Sequence, residues 1–174
     1  PMYWVAQDPT MPTPLQLICT DFDGTLHSDF TEPPVPHALQ TKLAQLQAQG
    51  ATWVINTGRT LDDLRLGIDH AKLTVHPDYV VVVEREIFRC VEHGYEPLTE
   101  WNDRCTRMQS ALFASIADRL PELFDWVNLH FSANVYEDEW SPFCLIARNN
   151  RDADAIQEYV DAFFIGDSQL TFVR

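Results

Sequence analysis

Residues 15–26, Leu-Gln-Leu-Ile-Cys-Thr-Asp-Phe-Asp-Gly-Thr-Leu, constrain the chain more than any other stretch. A short apolar run stops abruptly in two carboxylates, a glycine and a threonine. Residues 15–20 read as a strand, bounded by Pro14 and Gly24. At a strand end, residues two apart point the same way, so Asp21 and Asp23 share one side and Phe22 turns to the other. Two carboxylates so close repel unless a cation or a proton sits between them. Gly24 lets the backbone turn and brings N–H groups near whatever binds. The set suits a divalent metal and a phosphate together, and is far more specific than an acidic turn that merely closes a strand.

A second stretch repeats this logic. In Val54-Ile55-Asn56-Thr57-Gly58-Arg59-Thr60 a buried strand ends in a small hydroxyl and a glycine, and a helix follows. Helix N-termini carry free N–H groups and partial positive charge, which attract phosphate. Thr57-Gly58 alone is as readily an ordinary strand-to-helix turn. Parallel strands would bring both stretches to one sheet edge, where α/β proteins bind ligands.

The rest of the chain supports an alternation of strands and helices. Residues 36–49 read as a helix with Leu39, Leu43 and Leu46 on one face. Residues 52–56 read as a strand, and residues 60–71 as a helix capped by Thr60 with Asp63. The β-branched run at residues 79–83 predicts a strand covered on both faces. Alternation of this kind argues for right-handed βαβ units. Past residue 84 the pattern changes. Residues 87–91 read as a hairpin strand and residues 102–120 as a helix stopped near Pro121. Residues 126–135 and 143–147 read as antiparallel strands, 152–163 as a helix and 169–173 as a last strand. The predicted fold class is α/β, a Rossmann-like parallel sheet, with the pattern changing near residues 92–98 at Gly94 and Pro97. Residues 1–14 are set aside as an extension or tag remnant.

Composition removes several function classes. A formal charge of −14 repels nucleic acid and anionic membranes, so a phosphate site must be locally positive. No apolar run is long enough to cross a bilayer. Cys19, Cys90, Cys105 and Cys144 are widely spaced, which favours reduced thiols in a cytoplasmic protein.

Asp21-Phe22-Asp23-Gly24-Thr25 followed by Thr57-Gly58-Arg59 resembles the first two motifs of the haloacid dehalogenase (HAD) superfamily. The flavour is similar to the sucrose-phosphate-phosphatase-like and Cof-type sugar phosphatases. Those families insert a cap after the third core strand, so the resemblance implies an incomplete Rossmann-like core, its first half at residues 15–93, with an inserted α+β cap at residues 94–174. It covers residues 15–91 well and the cap in outline. It implies a Mg²⁺-dependent phosphatase acting on a small phosphorylated metabolite such as a sugar phosphate. Asp21 would be the nucleophile and a metal ligand. Asp23 would be the general acid and base, its carbonyl also on the metal. Gly24, Thr25, Thr57 and Gly58 would hold the phosphoryl group, while Arg59 either contacts substrate or braces the loop. The family also has a lysine motif and a second acidic pair. No lysine follows Lys72, and Ile165-Gly166-Asp167-Ser168 lacks a second carboxylate after it. The resemblance therefore implies a chain cut within its cap, with a sheet edge left open to homodimerisation. Two other outcomes stay open: an inactive fragment or pseudoenzyme that still binds phosphate or Mg²⁺, and a phosphomutase using the same aspartate. His27 is expected in solvent, residues 137–139 as a solvated turn, and Trp101, Trp126, Trp140 and Phe131 in the cap core.

Overall fold

A computed structural model describes residues 14–166, which divide into two compact units between Asp103 and Arg104. The reading of residues 169–173 as a strand, and the Asp167-Ser168 turn, lie outside the described residues.

The first unit is built on a five-stranded sheet of order β1-β2-β3-β4-β5. Strands β1 (Leu17–Thr20), β2 (Thr52–Asn56) and β3 (Tyr79–Val82) run parallel, with Leu17 beside Thr52 and Val54 beside Tyr79. Strands β4 (Glu86–Val91) and β5 (Gly94–Pro97) add an antiparallel extension. This is the α/β, Rossmann-like arrangement that the alternating pattern predicts.

Helix α1 (His37–Ala48) follows Pro36, and Gly50 takes a positive φ just past its end. Its inward face differs from the leucine stripe of the sequence reading: Gln40 and Leu43 are buried, whereas Leu39 is exposed. Gln40 can be buried because both ends of its amide are hydrogen-bonded. It donates to the Val35 carbonyl and accepts from both the N–H and the hydroxyl of Thr74. Helix α2 (Leu61–Ala71) starts where Thr60 accepts the Asp63 N–H, and Thr60 in turn donates to the Asp63 carboxylate at 2.7 Å. Thr60 thus caps α2 through its hydroxyl, which also meets the Asp63 carboxylate, the half of a capping box made by the N-cap residue. Leu43 from α1 and Leu64, Ile68 and Ala71 from α2 pack with Trp53, Ile55, Val80 and Val82 into one core.

That core covers one face of the sheet. Tyr79 and Val81 on the other face are only half-buried, and Leu17 and Cys19 on β1 are exposed. The expectation that residues 79–83 are covered on both faces is thus corrected for the described residues: burial alternates along β3 as in a one-sided sheet. At the other end of the sheet, the Leu98 N–H carries the β4–β5 ladder one bond past Pro97, to the Ile87 carbonyl at 2.9 Å. Buried Asn102 takes over beyond it, accepting the Ile87 N–H at 2.8 Å and donating to the Ile87 carbonyl at 3.0 Å.

Helix α3 (Thr99–Ile116) runs across the division between the units. In the second unit a 3-10 turn at Ala117–Arg119 leads into helix α4 (Leu120–His130). The reading of residues 126–135 as a strand is overturned here. Pro121 sits in the first turn of α4, where its missing N–H costs nothing. Leu123 and Val127, four apart, fill the core. Strand character begins only at β6 (Asn134–Tyr136), which pairs with β7 (Cys144–Ile146). Helix α5 (Asn150–Phe163), capped by Asn149, closes the unit with Ile156 and Val160. Trp126 lies flat on Tyr159, ring centroids 3.5 Å apart, and Phe131 joins the same packing. Trp101 instead is partly exposed and donates to the Arg85 carbonyl.

No helix among the described residues is long and apolar enough to cross a membrane. All four cysteines are free.

Candidate phosphoryl-transfer site

The parallel register of β1 and β2 sets Thr20 beside Ile55. One residue further on, Asp21 leaves β1 level with Asn56, one step before Thr57. Neighbouring strands lie roughly 5 Å apart, so the two sequence motifs open side by side at the carboxyl ends of their strands.

The first loop closes on itself. Phe22 is fully buried and points into the core, while Asp21 and Asp23 are exposed. The Leu26 and His27 N–H groups both donate to the Phe22 carbonyl, at 3.1 and 2.8 Å, and the Gly24 N–H donates to the His27 carbonyl at 2.9 Å. Gly24 has φ +71°, a left-handed conformation that costs a side chain but not glycine. Asp21 accepts the Phe22 N–H at 2.7 Å and, more loosely, the Thr25 hydroxyl at 3.4 Å. His27 corrects its sequence reading. It is buried, stacked against Phe22 with centroids 5.2 Å apart, and its Nδ1 lies 3.6 Å from Asp29. Apolar contact with the Phe22 ring holds it in rather than out.

The second loop is held from outside. Thr57 is buried, and its N–H donates to the Val81 carbonyl of β3. The β3–β4 turn then reaches back: Val83 N–H donates to the Arg59 carbonyl and Glu84 N–H to the Thr57 carbonyl, at 2.9 and 3.1 Å. The turn centres on Val83 and Glu84, both at positive φ (45° and 58°), closed by Arg85 N–H on the Val82 carbonyl. A turn with two successive central residues at positive φ favours Asn-Gly there, and a β-branched residue in that conformation is strained. The hydroxyl of Thr57 accepts the Arg59 N–H at 3.2 Å. Gly58 sits near Glu84, whose Oε1 would lie 3.8 Å from a β-carbon at that position.

Arg59 joins the loops. Its Nη2 donates to Asp23 Oδ1 at 2.6 Å and its Nε to Asp23 Oδ2 at 2.8 Å. These charge-assisted bonds hold the Asp23 carboxyl below the usual carboxylate range and push Arg59 further up.

The metal implied by the family resemblance finds part of a site. No group of three or more His, Cys, Asp or Glu able to hold a metal occurs among the described residues. The Asp23 carboxylate is committed to Arg59, which leaves the Asp21 carboxylate and the Asp23 carbonyl. Mg²⁺ is commonly held by one or two carboxylates together with water and substrate phosphate oxygens, so these two groups fit it.

Sequence reasoning missed three participants: the Val83-Glu84 turn, the burial of His27, and Gly67 of α2. Only Gly67 left a signal, as an isolated glycine inside a helical pattern.

No family model and no curated protein matches this chain. Solved structures do. IMP-nucleotidase from Plasmodium falciparum is 14% identical and aligns over 90% of this chain and 48% of its own, with a TM-score of 0.60. Sucrose-phosphatase from Synechocystis, solved with sucrose and phosphate, is 16% identical over 86% of this chain and 57% of its own, with a TM-score of 0.53. A haloacid dehalogenase-like hydrolase from Bacillus subtilis is 16% identical over 86% and 56%, with a TM-score of 0.49. The chain is thus similar in fold to the IMP-nucleotidase and the sucrose-phosphatase, and it spans about half the length of each.

Proposed function

We propose that this chain carries the first half of the active site of a phosphatase that hydrolyses a small phosphomonoester, such as a sugar phosphate, through an aspartyl-phosphate on Asp21. The observation that carries the reading is the junction of two loops: paired carboxylates after β1 and a hydroxyl-glycine-arginine turn after β2, tied by the Arg59–Asp23 pair.

In the first half of the reaction an Asp21 carboxylate oxygen attacks phosphorus, the P–O bond to the alcohol breaks, and the leaving oxygen takes a proton from Asp23. Thr57 and the Gly58 N–H bind the phosphoryl oxygens, with the Thr25 hydroxyl beside Asp21. In the second half Asp23 takes a proton from water, which attacks phosphorus, releases inorganic phosphate and restores the Asp21 carboxylate. The pair with Arg59 favours the ionised form of Asp23, which suits this second step and works against the first, where Asp23 must carry a proton. Mg²⁺, held by Asp21 and the Asp23 carbonyl, would supply positive charge against the developing oxyanion.

A second reading keeps binding without turnover for these 174 residues alone; it draws on the absence of any lysine after Lys72. Turnover of p-nitrophenyl phosphate, measured on the 174-residue chain and on the natural gene product, separates the readings. With Mg²⁺ present, Asp21→Asn is expected to lower kcat by about three orders of magnitude or more. Equal rates for wild type and Asp21→Asn would overturn the mechanism.

A further inference from the structure

Gly67 is buried in the middle of α2, a position where glycine is less favourable than alanine. A β-carbon there would lie 2.8 Å from Nη1 of Arg59, 2.8 Å from Cε1 of Phe22 and 3.1 Å from its Cζ. Neither neighbour leaves room for it. The Phe22 ring is fully buried, and the Arg59 guanidinium lies over that ring, 5.0 Å from its centroid. The missing side chain is therefore a slot, with the Phe22 ring and the edge of the guanidinium filling it.

Every nitrogen of that guanidinium has a protein partner. Nη1 donates to the Asp63 carbonyl at 3.2 Å, while Nε and Nη2 grip the two oxygens of Asp23. A fork engaged on three sides fixes a carboxylate in plane and direction, as a lysine could not.

We propose that Arg59 is a positioning residue that orients the Asp23 carboxylate, and that Gly67 provides the slot in which its guanidinium is held. The role given to Asp23 rests on the phosphatase reading; the clamp and its slot do not.

The ¹⁵N–¹H spectrum of the arginine Nε–H groups tests the clamp in the 174-residue chain without any turnover. Arg59→Lys identifies the Arg59 peak. It is expected downfield of the Nε–H of exposed Arg151, with water exchange slowed by about tenfold or more, the behaviour of a charge-assisted bidentate donor. Asp23→Asn and, separately, Gly67→Ala should each return it to the Arg151 position. If Gly67→Ala does not fold, Gly67→Ala with Phe22→Leu is compared with Phe22→Leu alone and read the same way. A peak unmoved by Asp23→Asn overturns the clamp, and one unmoved by the Gly67 change overturns the slot.

Turnover by the natural gene product then separates positioning from substrate contact. Gly67→Ala and Arg59→Lys should lower kcat by about tenfold while KM for p-nitrophenyl phosphate stays within about twofold. A raised KM with unchanged kcat would make Arg59 a substrate ligand and overturn the proposal. Absence of turnover in the wild type would overturn the phosphatase reading, while the spectrum would still decide the clamp.

Discussion

The loops after β1 and β2 are built from similar residues and are stabilised in opposite ways. The first, around Asp21–Asp23, satisfies its backbone within seven residues and is anchored by the Phe22 ring beneath it. The second, around Thr57–Arg59, depends on β3 and on a strained turn more than twenty residues away in sequence. Local closure makes a loop that its own sequence dictates. Long-range bracing makes one whose geometry is set elsewhere, and can be adjusted from there.

The sharpest way to break this contrast is at Phe22. Phe22→Ala removes the anchor of the first loop and should cost about 3–5 kcal/mol in denaturant unfolding. A cost below about 1 kcal/mol would mean that the loop does not rest on that ring. Next is the brace of the second loop. Replacing Val83-Glu84 with Asn-Gly keeps both N–H donors and relieves the left-handed strain, so stability should rise by about 1–2 kcal/mol. A loss would show that the two side chains, not the backbone, hold the turn.

Gly24→Ala probes the first loop more gently. No atom lies within 4 Å of a β-carbon built there, so only the backbone at φ +71° resists. The expected loss is about 1–2 kcal/mol, the cost of a left-handed conformation in a residue with a side chain. The smallest effect belongs to the link between the loops. Asp23 has a lowered pKa because Arg59 donates to it, so the native state favours its ionised form. Its stabilisation is full above the unfolded value near 4 and is lost as pH falls through the lowered native value. With Asp23 about half exposed, the difference between wild type and Arg59→Gln should be under about 1 kcal/mol at pH 6 and shrink as the pH falls below about 4. A difference that grew on acidification would reverse the assigned sign.

The same contrast explains what the sequence disclosed. The first loop was legible because its signals are adjacent: an apolar run, alternating carboxylates and a glycine at the turn. Thr60 with Asp63 likewise announced α2 before any coordinate did. The brace on the second loop was not legible, because Val83 and Glu84 are poor turn residues and adopt their conformation only where Thr57 and Arg59 offer carbonyls. Residues 126–135 misled for a related reason. Their aromatic and β-branched content suits a strand, but burial of Leu123 and Val127 at helical spacing decides the first half of that stretch. Arg59 was placed near the site, yet its partner could not be chosen without seeing that Gly67 makes room.

Asn102 carries a consequence of its own. In an extended chain the N–H and carbonyl of one residue point to the same side, and those of the next point to the other. An amide that grips both groups of Ile87 therefore recognises odd from even along β4. Sliding that strand by a single position would turn the wrong edge toward the amide and forfeit both bonds at once. Asn102 thus acts as a parity check on how the hairpin is threaded, and aspartate, which has no amide hydrogen to give, could not perform it.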